Sequence, residues 1–300
     1  MRVFSDSDVR RLLTLDDCLA AVENAFRLHG ERRCVGPASL SLHVDGGAFH
    51  VKAAVLGRYF AVKENGNFFD NAARGLPRIQ GVIALADAEN GTPLAVLDSV
   101  YITILRTGAA TAVAAKHLAR ANAETLLVSG CGNQGRVSVE AIRRVRDIRR
   151  VWLHDVDRRR AEELASALDA SVVEDFDEAM RDADLVVTCT PSRKAFVHTA
   201  HPGQFIAAVG ADSSEKQEIA PELLSSSIVI VDDLEQCRAF GDLHHAPTVE
   251  PRATLADVIC GTRVGRTSDE EVIIFDSTGT ALQDVAAAAL LYERMYERAS

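Results

Sequence analysis

The stretch LLVSGCGNQG, residues 126–135, sets Gly130, Gly132 and Gly135 at the spacing G-x-G-x-x-G behind an apolar run. By itself this spacing also marks ordinary strand-to-helix turns, so its surroundings decide the reading. TLLVSG reads as a strand and QGRVSVEAIRRVR as a helix, and the next apolar run, RVWLHD, ends on Asp155. Strand, glycine turn, helix, strand and acid together form the dinucleotide-binding pattern. The glycines allow a tight turn and close approach of backbone to a pyrophosphate, which the free N–H groups and dipole of a helix start attract. Asn133 and Gln134 lie inside the same expected cradle. Asp155 stands where a carboxylate accepts hydrogen bonds from ribose hydroxyls and repels a 2′-phosphate, so NAD is favoured over NADP. Arg158, Arg159 and Arg160 follow closely and could instead welcome that phosphate. In the first turn of the next helix they read as a solvated face, and NAD remains the expectation.

The rhythm downstream extends this unit. Helix DRRRAEELASAL and strands ASVVE, DLVVTCT, QFIAAVG, SSIVIVD and VIIFDSTG continue an alternation that builds a doubly wound parallel sheet. Upstream the texture differs. TLDDCLAAVENAFRLHG is a helix capped by Thr14, with Cys18, Leu19, Val22 and Phe26 on one face and Gly30 at its end. From Gly36 to Leu97, SLSLHV, FHVKAAV, YFAVKEN and GVIALAD alternate between the turn signals DGG, NGN, RGLP and ENGTP, as in a mostly antiparallel sheet. The alanine-rich helix TGAATAVAAKHLA leads out of this region, and the terminal helix ALQDVAAAALLYERMYERA is expected to return to it. The fold class is α/β: a Rossmann-type domain over 113–280, and a smaller α+β domain over 1–112 plus 281–300.

Bulk properties narrow the partners. A chain of 300 residues has room for two domains, and its net charge of −10 disfavours nucleic acid and anionic membranes. MRVFSDSDVRR has no apolar core of the signal-peptide kind, and no apolar run is long enough to cross a bilayer. These features point to the cytoplasm. Cys18, Cys34, Cys131, Cys189, Cys237 and Cys260 form no C-x-x-C pair, and the histidines of HTAH and HH lack partners at ligand spacing. Neither disulfides nor a metal site is expected.

The segment from VKENGNFFDNAARGLPRIQG to LRTGAATAVAAKHLA, followed by ADLVVTCT, PGQFIAAVGAD, GDL and STGTALQDVAA, resembles the ornithine cyclodeaminase/mu-crystallin family along nearly the whole chain. The resemblance implies an amino-terminal domain for substrate binding and dimerisation beside an NAD(P)-binding domain. It implies a homodimer and a small amino or imino acid as substrate. Position by position, Lys63 matches the substrate-binding lysine, Arg106 the carboxylate-binding arginine and Asp212 the catalytic aspartate, with Lys63 also counted in the catalytic set. Thr190 and Gly210, ending two of the matched segments, join the expected cofactor contacts.

Chemistry agrees with those roles. Hydride transfer at a C–N centre needs a group that manages the nitrogen's protons, and two cations suit a substrate carboxylate. The plainer alternatives are a surface Lys63, a structural salt bridge at Arg106, and Asp212 as the cap of SSEKQEIAPELL. One feature departs from the family pattern. A further arginine often follows a proline in the first strand, whereas here Pro37, Ala38 and Ser39 stand in sequence. A charge-assisted hydrogen bond contributes about 1.5–3 kcal/mol, so the site needs a substitute, with Lys52 first and His50 and His43 behind it.

The implied activity is that of an NAD-dependent amino acid dehydrogenase or imine reductase of amino acid metabolism. A cyclodeaminase that recycles its NAD and a non-catalytic binder of the mu-crystallin type are the alternatives.

Overall fold

Reciprocal caps start the chain's first two helices. After β1 (Arg2–Phe4), the N-caps Ser5 and Thr14 open α1 (Asp6–Leu12) and α2 (Leu15–Gly30), and Asp8 and Asp17 bond back to the cap N–H groups. Cys18, Val22, Ala25 and Phe26 form the buried face of α2. The helix does end at Gly30, but the left-handed turn beyond it is made by Arg32, at φ +58°. The computed structural model describes residues 1–297, apart from the side chains of residues 72, 296 and 297, and residues 298 and 299 of the expected terminal helix lie outside the described residues. Contacts divide the chain into one unit of Met1–Arg106 with Thr280 onward, and a second of Thr107–Gly279.

The sheet of the first unit is an antiparallel meander of β2 (Cys34–Val44), β3 (Gly47–Leu56), β4 (Tyr59–Phe68), β5 (Ile79–Asp87) and β6 (Pro93–Asp98). Its order is β1-β6-β5-β4-β3-β2, with β1 parallel to β6 and β2 at the edge. Alternation sorts the faces: Tyr59, Ala61, Lys63 and Asn65 of β4 point inward and are buried. On the edge strand Leu40, Leu42 and Val44 are exposed. Register places Lys52 of β3 between Ser39 of β2 and Lys63 of β4. The helix α3 (Val100–Leu118) starts well before its alanine-rich part. Asp98 accepts a hydrogen bond from Val100 N–H, and burial of Ile102 and Leu105 overrides the weak helix propensity of the β-branched residues there.

The second unit holds β7 (Thr125–Ser129), α4 (Asn133–Val145), β8 (Arg150–His154), α5 (Arg158–Leu168), β9 (Ser171–Val172), α6 (Phe176–Met180) and β10 (Leu185–Thr188). It continues through β11 (Arg193–Val197), β12 (Phe205–Ala208), β13 (Gln217–Ile219), α7 (Pro221–Ser226), β14 (Ile228–Val231), α8 (Leu234–Phe240), β15 (Ala253–Thr254), α9 (Leu255–Ile259) and β16 (Ile273–Asp276). A wholly parallel sheet runs β15-β14-β16-β12-β10-β7-β8-β9. Strands β7, β10, β12 and β16 are buried throughout, which is why each reads as an unbroken apolar run. The chain goes from β7 outward to β9, then returns to the other side at β10, so the topological switch lies between β7 and β10. In open α/β sheets ligands bind outside the carboxyl ends of strands at such a switch. Two features escaped the sequence: ASVVE supplies only a two-residue strand, and β11 pairs with β13 in a small separate sheet.

The terminal helix α10 (Ala281–Glu297) belongs to the first unit, where it lies against α2, β3 and β4 and buries Leu282, Val285 and Leu291.

Candidate active site

The glycine turn of the second unit separates into two kinds of glycine. Gly130 leaves β7 at φ +105° and donates its N–H to the His154 carbonyl at 2.9 Å; a Cβ there would stand 2.8 Å from the Cys189 carbonyl oxygen. At Gly135 a Cβ would stand 2.1 Å from the Gly130 carbonyl oxygen. Both therefore serve the chain's own close packing. Gly132 does not: a Cβ there would meet nothing within 4 Å. It is the N-cap of α4 and provides no side-chain cap, so the first-turn N–H groups, which include those of Asn133 and Gln134, have no intrahelical acceptor. The buried Oε1 of Gln134 also lacks a partner. Open space, free donors and a helix dipole at the switch point fit the pyrophosphate of a dinucleotide.

Asp155 follows β8 and supports this turn. Its Oδ2 accepts from the Cys131 N–H at 2.7 Å and its Oδ1 from the Asp157 N–H at 2.9 Å, leaving further lone pairs on each oxygen. The neighbouring arginines are turned to other partners. Arg158 pairs with Glu162 and Glu174, Arg159 with Glu163, and Arg160 with Asp157, all on an exposed face. The solvated reading of that run holds.

Thr190 and Gly210 have a different occupation from the one expected. The Thr190 N–H and hydroxyl donate to Glu218 Oε1 at 2.6 and 2.8 Å, while the Thr188 hydroxyl and Gly210 N–H donate to Oε2 at 2.8 and 2.9 Å. One buried carboxylate thereby ties together the ends of β10 and β12. The N–H groups of Thr190 and Gly210 are committed to the protein, so any contact these residues make with a cofactor comes from their remaining surface. Burial, reinforced by Asp242, pushes Glu218 up to about 7 against the pull of its donors. Asp242 in turn accepts from the backbone N–H groups of Glu218 and Ile219.

Asp212 lies beyond β12, half-exposed and ion-paired with Lys216. It caps no helix: the residues after it form a turn and β13, and α7 takes Ala220 as its N-cap.

The first unit gathers the cations. The Lys63 ammonium lies 2.9 and 2.8 Å from the two carboxylate oxygens of Asp284, and Arg106 Nε lies 3.0 Å from Asp284 Oδ1. Arg106 donates through Nη1 to Gln283 Oε1 at 2.9 Å, and its contact with Asp284 is an ion pair. Lys63 is 4% exposed and Arg106 5%, so Lys63 is no snorkelling surface residue. Arg106 does make a salt bridge, and makes it inside this cluster. Burial, with Arg106 adding repulsion, pushes Lys63 down to about 7, while Asp284 draws it back. Burial alone would raise Asp284, but Lys63 and Arg106 hold it below the usual carboxylate range. Lys52, partly buried, stands beside Lys63 and across from Ser39, where the family's further arginine is missing. The other candidate substitutes lie further along: His50 Nδ1 is bonded to the Ser41 hydroxyl at 2.9 Å, and His43 pairs with Ala48 in the register.

The family model of the ornithine cyclodeaminase/mu-crystallin family matches residues 2–299. The chain belongs to that family. It is 39% identical to an alanine dehydrogenase of Archaeoglobus fulgidus, over 97% of this chain and 94% of that protein. An archaeal alanine dehydrogenase dimer with bound NAD superposes with a TM-score of 0.96 at 38% identity, covering 100% of this chain and 97% of the other. The Thermococcus litoralis Δ1-pyrroline-2-carboxylate reductase, in complex with NADH and L-proline, gives 0.94 at 28% identity, covering 100% and 98%. The combination of a doubly wound parallel sheet and a mixed sheet is thus the family's fold.

Within this family fold, three residues escaped sequence reasoning. In the sequence Gln283 and Asp284 show only as a polar pair at the start of an otherwise apolar helix. Glu218 sits in SSEKQEI, whose charge density reads as surface, and nothing local announces its complete burial.

Proposed function

We propose that the protein is an NAD-dependent oxidoreductase that interconverts an amino acid and an imino acid, acting as an amino acid dehydrogenase or an imine reductase. The observation that carries this reading is the buried Lys63–Arg106 pair, two cations where a carboxylate substrate needs them. The likeness to alanine dehydrogenase and pyrroline-2-carboxylate reductase over almost the full length supports the reaction class. NAD, held at Gly130–Gly135 with Asp155 toward its ribose, supplies or accepts the hydride. Arg106 binds the substrate carboxylate through the guanidinium edge not turned to Asp284 and Gln283. Lys63 contributes a second positive charge, and Lys52 stands in for the missing arginine. Asp212 moves the proton at the substrate nitrogen, a role its exposed position after β12 allows. Retention of both Lys63 and Asp212 speaks against a binder without turnover.

In this reading residues 1–112 plus 281–300 form the substrate-binding and dimerisation domain, and residues 113–280 the dinucleotide-binding domain. The exposed apolar residues Leu40, Leu42 and Val44 on edge strand β2 support a homodimer, since an apolar sheet edge left in water favours pairing. Among the described residues no helix is long and apolar enough to cross a membrane; acidic charge and the cysteine pattern support a cytoplasmic location. Turnover of a panel of amino acids and cyclic imines, followed by nicotinamide absorbance and ammonia together, tests the reading.

A further inference from the structure

We propose that Asp284 is a positioning residue: its carboxylate clamps Lys63 and Arg106 into one fixed pair and keeps Lys63 an ammonium ion for the anionic substrate. The geometry is that of a shared counter-ion. The Lys63 ammonium donates to Asp284 Oδ1 at 2.9 Å and lies 2.8 Å from Oδ2, and Arg106 Nε stands at ion-pair distance from Oδ1, 3.0 Å. These three groups come from β4, α3 and α10, each 5% exposed or less. Neighbouring Gln283 accepts a hydrogen bond from Arg106 Nη1, so α10 holds the guanidinium through consecutive side chains, by that bond and by the ion pair of Nε with Asp284. What remains of Arg106 and Lys63 is then presented with little freedom, which is how orientation favours a substrate carboxylate.

The charge balance explains why the clamp must be an acid. Lys52 from β3, Lys63 from β4 and Arg106 from α3 are cations, and Asp284 from α10 is the carboxylate among them. The register partner of Lys63 on β5 is Ile83, which is uncharged. Further along α10, Glu293 is bonded to Tyr59 and Arg294 to Asp17 of α2, so the charges there are engaged elsewhere. Burial and Arg106 both favour the neutral amine at Lys63. Asp284 opposes them, and removing its charge leaves Lys63 to lose its proton at a lower pH.

The consequence for substrate binding rests on the function proposed above; the consequence for Lys63 does not. The test titrates Lys63 in the substrate-free, full-length protein by NMR of a labelled lysine side chain, in wild type, Asp284→Asn and Asp284→Glu. The Asn variant should lower the Lys63 titration by about one to three pH units, the range for losing an adjacent opposite charge, and the Glu variant should recover part of it. In turnover, the Asn variant should raise KM for a carboxylate substrate more than it lowers kcat. Lys63 titrating at the same pH in wild type and the Asn variant would overturn the proposal. Should the Asn variant fail to fold, the wild-type Asp284 carboxyl decides: titration below the ordinary aspartate range supports the clamp, and titration above it refutes the clamp. A shifted Lys63 together with no turnover on any amino or imino acid would leave the clamp standing and sink the functional reading alone.

Discussion

Replacing Gly135 by alanine puts a methyl group 2.1 Å from the Gly130 carbonyl oxygen, whereas the same change at Gly132 puts one in open space. For Gly135→Ala the carbonyl must retreat by roughly an ångström to reach ordinary contact, as in other overpacked sites. It has little room to do so. Gly130 is tied to His154 through its N–H, and the Cys189 thiol donates to the Gly130 carbonyl at 3.1 Å. Overpacking of this kind costs about 1–3 kcal/mol, or a fall in Tm of roughly 2–4 °C for each kcal/mol in a unit of this size. At Gly132, φ is −86°, which alanine adopts freely, so stability should change by less than about 1 kcal/mol. NADH affinity should nonetheless fall at least about tenfold, about 1.4 kcal/mol, because the methyl group occupies the space assigned to the pyrophosphate. Thermal unfolding without ligand and NADH titration by fluorescence separate the two effects. Gly132→Ala binding NADH as tightly as wild type would refute the cradle, and Gly135→Ala with an unchanged Tm would refute the packing argument.

Other expectations concern single side chains. Asp155→Ser should reduce the preference for NADH over NADPH by about tenfold or more in paired binding titrations, by removing a repulsive charge near the ribose. Asp212→Asn should cut kcat by about a hundredfold with NADH affinity little changed; near-normal turnover would remove Asp212 from the proton pathway. The folded protein should lose stability as pH rises from 5 to 7.5. Burial raises Glu218 from 4.5 to about 7 and Asp242 from 3.8 to about 6, so the folded state keeps protons that the unfolded chain has released. This contribution is complete below the unfolded values and fades as pH passes through the folded ones, with a slope up to about 1.4 kcal/mol per pH unit for each proton. Urea midpoints that rise over this interval would contradict it, and Glu218→Gln should flatten the dependence.

Much of this architecture was legible because local signals agreed with tertiary demands. The glycine turn, the helix cap at Thr14 and the apolar strands each carry their cause within a few residues. The start of α3 was hidden because VYITILR favours extended backbone until Ile102 and Leu105 are buried. Lys63 and Arg106 could be found from the segments around them. Asp284 could be placed with them only through the fold, since 221 residues separate it from Lys63. Glu218 was illegible for a related reason: a buried acid and a surface acid look alike until their donors are known, and its donors are Thr188, Thr190 and Gly210.

The central claim is net oxidoreduction of an amino or imino acid with NAD, and a stoichiometric assay tests it most directly. The purified protein would be given excess NADH with Δ1-pyrroline-2-carboxylate, or with pyruvate and ammonia, and separately ornithine with a trace of NAD. The account predicts NADH consumed one for one with amino acid formed in one of the first two reactions, and no build-up of proline from ornithine. Proline and ammonia accumulating from ornithine far beyond the NAD supplied, with NADH left unconsumed in the other reactions, would contradict it.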